Sequence, residues 1–305
     1  MILIAGGTGL LGSRVARRLV AVGDAVRIVT RHPDGPVATE LRDLGVEVVR
    51  CDVCQAASVH SVVSGADVLV ISVQALAGPG TSRRNNPHTL DDEGVRELIR
   101  AAADAHVRHV VYISIAGASP DAGPEFVRIK HDTERAVQRS GMTWTIIRPA
   151  AFMEVWSSMI GGPVLKGDRA MVFGDGNNPV NFVSADDVAE FVVLAIKDPA
   201  AEGQTLTVGG PDNLTLNEVV ELFAKAANTP AKVRKLPVGV MKAVSAVMSP
   251  INPGLSRQMG MGAWMATSDQ RVDMTKTLEH FPVELTHLQD IADKMKDQFR
   301  VGDAI

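Results

Sequence analysis

Short apolar runs alternate with stretches of helical periodicity through the first half of the chain. An apolar run bounded by turn residues is typical of a strand buried on both faces, whereas apolar residues spaced three or four apart indicate a half-buried helix. The runs predict six strands, Ile2–Ala5, Val26–Thr30, Val46–Arg50, Val68–Ser72, His109–Ser114 and Thr143–Arg148. The clearest helical segments between them are Leu90–Ala105 and Phe126–Ser140. This alternation predicts an α/β doubly wound parallel sheet, a Rossmann fold, with its ligand crevice at the carboxyl ends of the strands.

The pattern changes after Pro149, where clusters of glycine and proline interrupt the regular alternation. Val180–Phe182 and Thr205–Val208 have the composition of two further short strands. Helical periodicity returns in four segments, Ala185–Lys197, Leu216–Ala227, Val238–Val247 and Leu288–Phe299. We therefore expect a sheet domain over residues 1–150 and a smaller, mainly helical C-terminal lobe over residues 151–305 that is interwoven with the sheet.

Composition and charge are those of an ordinary soluble globular protein. Of the 305 residues, 46% are hydrophobic and 22% are charged, and the net charge of −4 does not suggest a nucleic-acid partner. No uninterrupted apolar run reaches the roughly 18 residues that a membrane helix needs. The two cysteines, Cys51 and Cys54, lack the further ligands of a zinc site and suit a reducing compartment. Because the first strand begins at Ile2, we expect a cytoplasmic monomer or homodimer without a leader and without a metal, membrane or nucleic-acid partner.

Glycines fill the turn between the first strand and the first helix. Gly7, Gly9 and Gly12 fit G-x-G-x-x-G, and Gly6 gives the wider G-x-x-G-x-x-G spacing. One glycine turns the chain, one admits a pyrophosphate to the backbone, and one lets helix and strand pack closely. The helix N-terminus then offers free N–H groups to the phosphates. The residues expected at the phosphates are Gly6, Thr8, Gly9, Leu10, Leu11 and Gly12, which makes residues 1–150 a dinucleotide-binding domain.

The ends of the second and third strands indicate which dinucleotide is bound. A protein that prefers NAD usually places an acid after the second strand, where this chain has Arg31 and His32. A guanidinium grips the 2′-phosphate of NADP, so NADP(H) is favoured over NAD(H), although a solvated loop arginine is the alternative. Asp52 and Val53 follow the third strand, where the adenine would lie; Asp52 either accepts from the adenine amino group or caps a helix.

Several of these segments together resemble the atypical short-chain dehydrogenase/reductases, and among them the NmrA-like and nucleoside-diphosphate-sugar-epimerase-related NAD(P)H-binding proteins. The resemblance covers about residues 1–210 and rests on Gly6–Gly12, Arg31, Asp52-Val53, His109–Ser114, Lys130, Glu134 and Thr145–Met153. It implies NAD(P)H binding, with Pro149 at the loop that contacts the nicotinamide.

The superfamily's usual catalytic residues are Tyr-x-x-x-Lys on a helix and a serine at the end of the fifth strand. Ser114 and Lys130 match this pattern, but Phe126 stands at the tyrosine position and has no proton to donate. The resemblance implies that Lys130 holds the nicotinamide ribose or transfers a proton without a tyrosine, and desolvation in an apolar cleft would lower its proton affinity. The chain's one tyrosine, Tyr112, either replaces the missing donor from its strand or packs in the core.

Aromatic and methionine side chains indicate the substrate class. Phe126, together with Phe152, Met153 and Trp156, would line a substrate pocket; the last three are equally compatible with plain core. The methionine-rich segment Met241–Met274 suits either a bulky apolar substrate or a helical lid. We expect an NADP(H)-dependent oxidoreductase that transfers hydride to an apolar or aromatic small molecule, such as a quinone or enone. The alternatives are a non-catalytic NADP(H) sensor, or an isomerase, lyase or cyclase that retains its cofactor.

Overall fold

The computed structural model describes residues 1–76 and 86–302, with side chains described as far as residue 298. It divides into two compact units. The first unit contains Met1–Arg148 and Val188–Thr207, and the second contains Pro149–Asp187 and the chain from Val208 onward. The sequence predicts a division at residue 150 with a C-terminal lobe interwoven with the sheet, and this domain assignment stays a prediction.

The strands alternate with helices along most of the chain. The strands are β1 Ile2–Ala5, β2 Val26–Thr30, β3 Glu47–Arg50, β4 Val68–Ile71, β5 His109–Ile113, β6 Thr143–Pro149, β7 Ala151–Phe152, β8 Ala170–Phe173, β9 Pro179–Val183, β10 Thr205–Val208, β11 Asn213–Thr215 and β12 Val233–Leu236. The α-helices are α1 Leu10–Ala21, α2 Pro36–Asp43, α3 Ala56–Val62, α4 Val95–Asp104, α5 Glu125–Gln138, α6 Met153–Trp156, α7 Gly162–Leu165, α8 Ala185–Lys197, α9 Leu216–Ala227, α10 Val238–Met248, α11 Pro253–Met265, α12 Thr275–His280 and α13 Leu288–Gly302.

Within the described residues, the main sheet has seven strands in the order β10-β6-β5-β4-β1-β2-β3. The strands from β1 to β6 pair in parallel. Every residue of β1, β4 and β5 is buried, which explains why these strands are continuous apolar runs and do not alternate with polar residues. The predicted doubly wound parallel sheet is confirmed. Its strand order reverses between β1 and β4, and such a switch point opens a crevice at the carboxyl ends of the strands.

The second unit has two small sheets and several helices. Its strands form the orders β11-β9-β7 and β12-β8. Its core contains Trp156, Phe182 and Phe223. The side chain of Asn181 donates hydrogen bonds to the carbonyl of Gly210 and to the side chain of Asn213. The apolar segment predicted as a helix over Val238–Val247 forms α10. In the part of the chain that the structure describes, no helix is both long and apolar enough to cross a bilayer.

The helix predicted over Leu90–Ala105 differs from the observed structure in its first five residues, Leu90–Gly94. Residues Pro87–Gly94 form a π-helix, and α4 begins only at Val95. Asn86 begins the π-helix, because its side chain accepts from the backbone N–H groups of His88 and Thr89. Gly94 is the last residue of the π-helix, and a Cβ at this position would lie 2.8 Å from the carbonyl oxygen of Val53. The wider π-turn changes which side chains face the sheet, and a 3.6-residue periodicity does not predict it.

Candidate functional site

Three glycines of the β1–α1 loop are fixed by close contacts within the protein. A Cβ on Gly6 would lie 2.4 Å from the carbonyl oxygen of Ser72, and its φ of +86° is one that side-chain-bearing residues rarely adopt. A Cβ on Gly7 would lie 2.4 Å from Cγ2 of Ile28, and one on Gly12 would lie 2.3 Å from the carbonyl oxygen of Gly6. These glycines therefore let the loop, β1 and α1 approach closely, which is the packing role of the motif.

Gly9 is different, because it faces open space. A Cβ there would meet one protein atom, the carbonyl oxygen of Gly6 at 3.2 Å. Gly9 is also the N-cap of α1, and among the described residues no side chain caps this helix. The first N–H groups of a helix have no partner within it, so those of Leu10, Leu11 and Gly12 are available to a ligand. An exposed glycine beside uncapped N–H groups fits the pyrophosphate of a dinucleotide.

The other residues of the β1–α1 turn differ in how far they are exposed near the N-terminus of α1. The hydroxyl groups of Thr8 and Thr30 lie 3.3 Å apart, which joins the loop to the end of β2. The side chain of Leu11 is buried in the core, so this residue offers a ligand its backbone only. Leu10 is half-buried at the first position of α1. The predicted phosphate-binding residues thus form one continuous turn, and their contact with a cofactor stays a prediction.

Basic residues lie at the ends of β2 and β3. Arg31 and His32 are both exposed, and the backbone N–H of His32 donates to the hydroxyl of Thr30. Arg50, the last residue of β3, donates to the backbone carbonyl of Arg31 at 3.4 Å, and its guanidinium lies 3.7 Å from the carboxylate of Asp34. The guanidinium of Arg31 therefore stands at the end of β2, where an NAD-preferring protein has an acid, and that of Arg50 lies next to it at the end of β3.

Asp52 and Val53 occupy the exit of β3. The carboxylate of Asp52 accepts from the backbone N–H of Cys54 and from the side chain of Gln55, each at 3.1 Å. It therefore stabilises its own turn and does not cap the following helix, whose N-cap residue is Gln55. Val53 is buried and packs with Ala75 and Leu90 in a small apolar cluster. Contact of either residue with an adenine stays a prediction.

The side chain of Lys130 lies inside the first unit, at the carboxyl ends of β4 and β5. It projects from α5, and its Nζ lies 3.0 Å from Oδ1 of Asp91, whose side chain is wholly buried. Nζ also donates to the backbone carbonyls of Val73 at 3.2 Å and Ile113 at 3.4 Å. Asp91 lies in the π-helix and is not among the site residues predicted from the sequence.

Two aromatic rings complete the surroundings of the Lys130 ammonium. Its Nζ lies 5.2 Å from the ring centre of Tyr112 and 5.6 Å from that of Phe126, within the range of cation–π contacts. Phe126 and Lys130 therefore share one face of α5, as their spacing predicts. Phe126 is only 3% exposed, and its role as a substrate wall stays a prediction.

Burial alone lowers the pKa of Lys130, but the charges of Tyr112 and Asp91, with hydrogen bonds to both, raise it above the ordinary value. The expectation that desolvation lowers the proton affinity of Lys130 is therefore wrong in its net direction. Tyr112, the first of the two raising influences, carries charge only once its phenol ionises near pH 12, so at physiological pH it is the buried carboxylate of Asp91 that compensates the desolvated charge. The direction of the shift favours the charged form of Lys130.

Ser114 and Tyr112, from one strand end, have contrasting environments. The backbone N–H of Ser114 donates to the carbonyl of Ile147, while its hydroxyl is buried with no hydrogen-bond partner among the described residues. A buried hydroxyl without a partner is costly unless a ligand group binds it, so Ser114 fits a polar cofactor or substrate atom. Tyr112 is fully buried in the core, and burial raises its pKa to about 12. The geometry does not support Tyr112 as a replacement for the missing proton donor.

The remaining predicted site residues lie in the second unit. Pro149 is buried as the last residue of β6, and Phe152 is partly exposed before α6. Met153 and Trp156 are buried, and Trp156 makes edge-to-face contacts with Phe173 and Phe182, each with ring centres 5.9 Å apart. The cavity beside Trp156 has a volume of about 10 Å³, which has room for little more than one water molecule.

These positions favour the core alternative for Met153 and Trp156, because α6 turns both side chains into the interior of its own unit. Phe152 is the member of the three that is not buried. Its contact with a substrate stays a prediction, as does the role of Pro149. Across residues 1–76 and 86–302, no three His, Cys, Asp or Glu side chains are grouped as a metal ion would need.

A second ion pair, in which only the carboxylate is buried, joins α5 to β6. Arg148 donates through Nε and Nη2 to the two carboxylate oxygens of Glu134, at 2.8 and 2.5 Å. Glu134 is one helical turn beyond Lys130 and is only 2% exposed. This pair shares no partner with the Lys130 ammonium and provides a matched comparison for the Lys130–Asp91 pair.

Comparison with known proteins identifies relatives along most of the chain. Residues 1–286 match the model of the NmrA-like family. A (4-alkanoyl-5-oxo-2,5-dihydrofuran-3-yl)methyl phosphate reductase of Streptomyces griseus is 31% identical over 92% of this chain and 92% of its own length. An NAD(P)H azoreductase of Xenophilus azovorans is 30% identical over 76% of each chain.

Solved structures share the fold at lower sequence identity. The NADPH-dependent quinone oxidoreductase of Escherichia coli, crystallised in complex with NADPH, superposes with a TM-score of 0.77. It is 18% identical in sequence, and the match covers 97% of this chain and 99% of the other. At this identity the likeness shows a common fold.

Proposed function

The chain belongs to the NmrA-like family, and from this premise we propose that it is an NADP(H)-dependent reductase that transfers hydride to an apolar or aromatic small-molecule acceptor of quinone or enone type. The observation that carries the proposal is the arrangement along the carboxyl edge of the main sheet. The uncapped N-terminus of α1 lies at β1, basic side chains end β2 and β3, and a buried cation lies at β4 and β5. A dinucleotide spans such an edge from its adenosine to its nicotinamide.

The choice of NADP(H) rests on Arg31 and Arg50. Arginine binds phosphate with two parallel hydrogen bonds and keeps its charge at any physiological pH. Both side chains are exposed at the strand ends where the adenosine ribose of a dinucleotide lies. They would hold the 2′-phosphate that distinguishes NADP from NAD.

The catalytic part of the proposal assigns roles to the chain's own residues. Hydride is the chemistry that NADPH supplies when bound. The hydroxyl of Ser114, buried and without a partner among the described residues, is available to bind a polar group of the cofactor or acceptor. Lys130 supplies fixed positive charge, and Phe126 encloses it on one side. Because Phe126 has no acidic proton, the protein favours acceptors whose reduced form needs little acid from the enzyme.

The names of the relatives agree with acceptors of this kind. The Streptomyces relative is named for reduction of an oxo-dihydrofuran that carries an alkanoyl group, and the Xenophilus relative for reduction of azo compounds. The structurally similar protein of Escherichia coli is named as a quinone oxidoreductase. Each name refers to a conjugated, electron-poor acceptor. We propose the same chemical class for this chain.

The experiment is an NADPH oxidation assay with a panel of quinones, enones, azo dyes and aromatic aldehydes. We expect NADPH oxidation above the protein-free rate with at least one quinone or enone, and a slower rate with NADH. The variants Lys130→Met and Gly9→Ala should lose this activity. If no acceptor accelerates NADPH oxidation although NADPH binds, the reductase proposal is wrong.

Phe126 is the observation that favours a second candidate, a protein that senses NADP(H) without catalysis. A sensor needs the cofactor site but no proton donor, which fits a phenylalanine at the tyrosine position. It would bind NADPH and NADP⁺ with different affinities and leave both unchanged. The same assay, combined with titration of the two cofactor forms, separates the two candidates.

A further inference from the structure

The ion pair between Lys130 and Asp91 is almost completely buried. The side chain of Lys130 is 3% exposed and that of Asp91 is 0% exposed. Desolvating two charges is so costly that apolar side chains of similar volume often stabilise a core equally well or better. A pair buried in this way at the carboxyl ends of β4 and β5 therefore calls for an explanation other than fold stability.

Asp91 is fixed from two sides. Its Oδ2 accepts from the backbone N–H of Ala75 at 2.8 Å, in the segment that leaves β4. Its backbone carbonyl accepts from the hydroxyl of Thr133 at 3.0 Å, on α5. Since Gly94 allows the π-helix to pack against Val53, the segment that carries Asp91 has little freedom to move. The carboxylate has a defined position before any ligand binds.

Lys130 is oriented equally well. An ammonium has three donors, and Nζ has three acceptors within reach, Oδ1 of Asp91 and the carbonyls of Val73 and Ile113. Asp91 supplies the shortest of these contacts and the only formal negative charge. In the described part of the chain, Asp91 and Tyr112 are the titratable groups that face this ammonium. Tyr112 stays neutral at physiological pH, so the charge of Lys130 depends on Asp91.

We propose that Asp91 is a positioning residue, which holds the Lys130 ammonium charged and stationary at the carboxyl ends of β4 and β5, so that Lys130 acts as a fixed cation and not as a proton donor. This inference rests on the proposed reductase function. In that reaction hydride from NADPH adds to the acceptor and leaves NADP⁺, and the acceptor becomes an anion. The fixed cation stabilises this charge, and the anion takes its proton from water.

The test replaces Asp91 with asparagine, which keeps the shape and the acceptor for Ala75 but removes the charge. Burial without a compensating carboxylate then lowers the pKa of Lys130. We expect the wild-type hydride-transfer rate to be independent of pH between about 6 and 9. The rate of Asp91→Asn should fall about tenfold per pH unit once the pH exceeds the lowered pKa of Lys130. The Kd for NADPH at pH 6 should change less than about threefold.

The second readout does not depend on activity. The ¹³Cε or ¹⁵Nζ NMR signal of Lys130, assigned by its loss in Lys130→Arg, reports the charge of the ammonium directly. In the wild-type protein this signal should titrate no lower than that of an ordinary lysine, and in Asp91→Asn it should titrate at lower pH. A wild-type Lys130 that titrates below the ordinary lysine range would overturn the inference, even if Asp91→Asn does not fold.

Glu134→Gln is the matched control. It removes a buried carboxylate from α5, the helix that carries Lys130, and leaves the partners of Lys130 unchanged. A merely structural role for Asp91 predicts that both variants lose thermal stability and keep the flat pH profile. Our inference predicts that only Asp91→Asn acquires a pH-dependent rate. If neither enzyme oxidises NADPH with any acceptor, the proposed function fails, while the NMR titration still decides the state of Lys130.

Discussion

Substitution of Gly9 by alanine separates the binding role of the glycine loop from its packing role. The backbone of Gly9 has φ −79° and ψ 176°, a conformation that alanine adopts without strain. The added Cβ would meet the carbonyl oxygen of Gly6 at 3.2 Å, which a shift of a few tenths of an ångström relieves. Alanine also reduces the conformational entropy of the unfolded chain, which stabilises a protein by about 0.4–1 kcal/mol. We therefore expect the free energy of unfolding of Gly9→Ala to stay within about 1 kcal/mol of the wild type.

The effect on cofactor affinity should be much larger. The methyl group would stand in front of the uncapped N-terminus of α1, so that the pyrophosphate loses its close approach to the backbone N–H groups. Hydrogen bonds to a charged group contribute about 1.5–3 kcal/mol each, and loss of one or two corresponds to about 10- to 10⁴-fold weaker binding. Calorimetric titration with NADPH measures this change, and thermal unfolding of the same samples measures stability.

Gly12→Ala is the contrasting variant, because its Cβ would lie 2.3 Å from the backbone oxygen of Gly6, which a side-chain movement does not relieve. Overpacking of this kind destabilises by about 1–3 kcal/mol or more, so Gly12→Ala should unfold at a lower temperature than Gly9→Ala. Two results would refute the reasoning. The first is NADPH affinity in Gly9→Ala within about threefold of the wild type, and the second is equal stability of the two variants.

Three further predictions address single residues. Arg31→Ala should weaken NADPH binding by about 10- to 100-fold and NADH binding by less than about twofold, because it removes a charge-assisted contact to the 2′-phosphate alone. Parallel titrations measure both affinities, and equal weakening would contradict the NADP(H) assignment. Tyrosinate absorbance should titrate with a midpoint near 12, since Tyr112 is the chain's one tyrosine, and a midpoint near 10 would contradict its burial. Because this folded-state pKa is raised, the associated stability should be complete below pH 10 and lost as the pH rises toward 12, and Tyr112→Phe should abolish that alkaline loss. Phe126→Leu should lower the hydride-transfer rate more than the affinity for NADPH, measured by single-turnover kinetics and titration, whereas unchanged kinetics would exclude Phe126 from the site.

The first unit could be predicted from local sequence because its central strands β1, β4 and β5 are buried on both faces. Such strands are continuous apolar runs, and the glycine loop marks where the first one ends. The spacing of Phe126 and Lys130 likewise predicts that both face the same way, because one helical turn separates them. NmrA-like membership is confirmed by the match over residues 1–286.

The rest depends on contacts that are distant in sequence. Aromatic and methionine residues at helical spacing are the same in a core and in a pocket, so Met153 and Trp156 could not be assigned from their pattern. The return of Val188–Thr207 to the first unit depends on pairing of β10 with β6, which has no local signal. The π-helix changes the register of side chains that a 3.6-residue period would place.

Asp91 nevertheless has a signal in the sequence. It is spaced four residues before Val95 and seven before Leu98, so it lies in the apolar stripe of the predicted helix although it is charged. A carboxylate in such a stripe needs a buried partner, because desolvation of an unpaired charge is too costly. Lys130, placed beside Phe126 on a half-buried helix, is a cation with the same requirement. Asp91 and Lys130 thus carry opposite charges on two elements that pack together, and each needs a buried partner. This predicts that they pair, and in the structure they lie 3.0 Å apart.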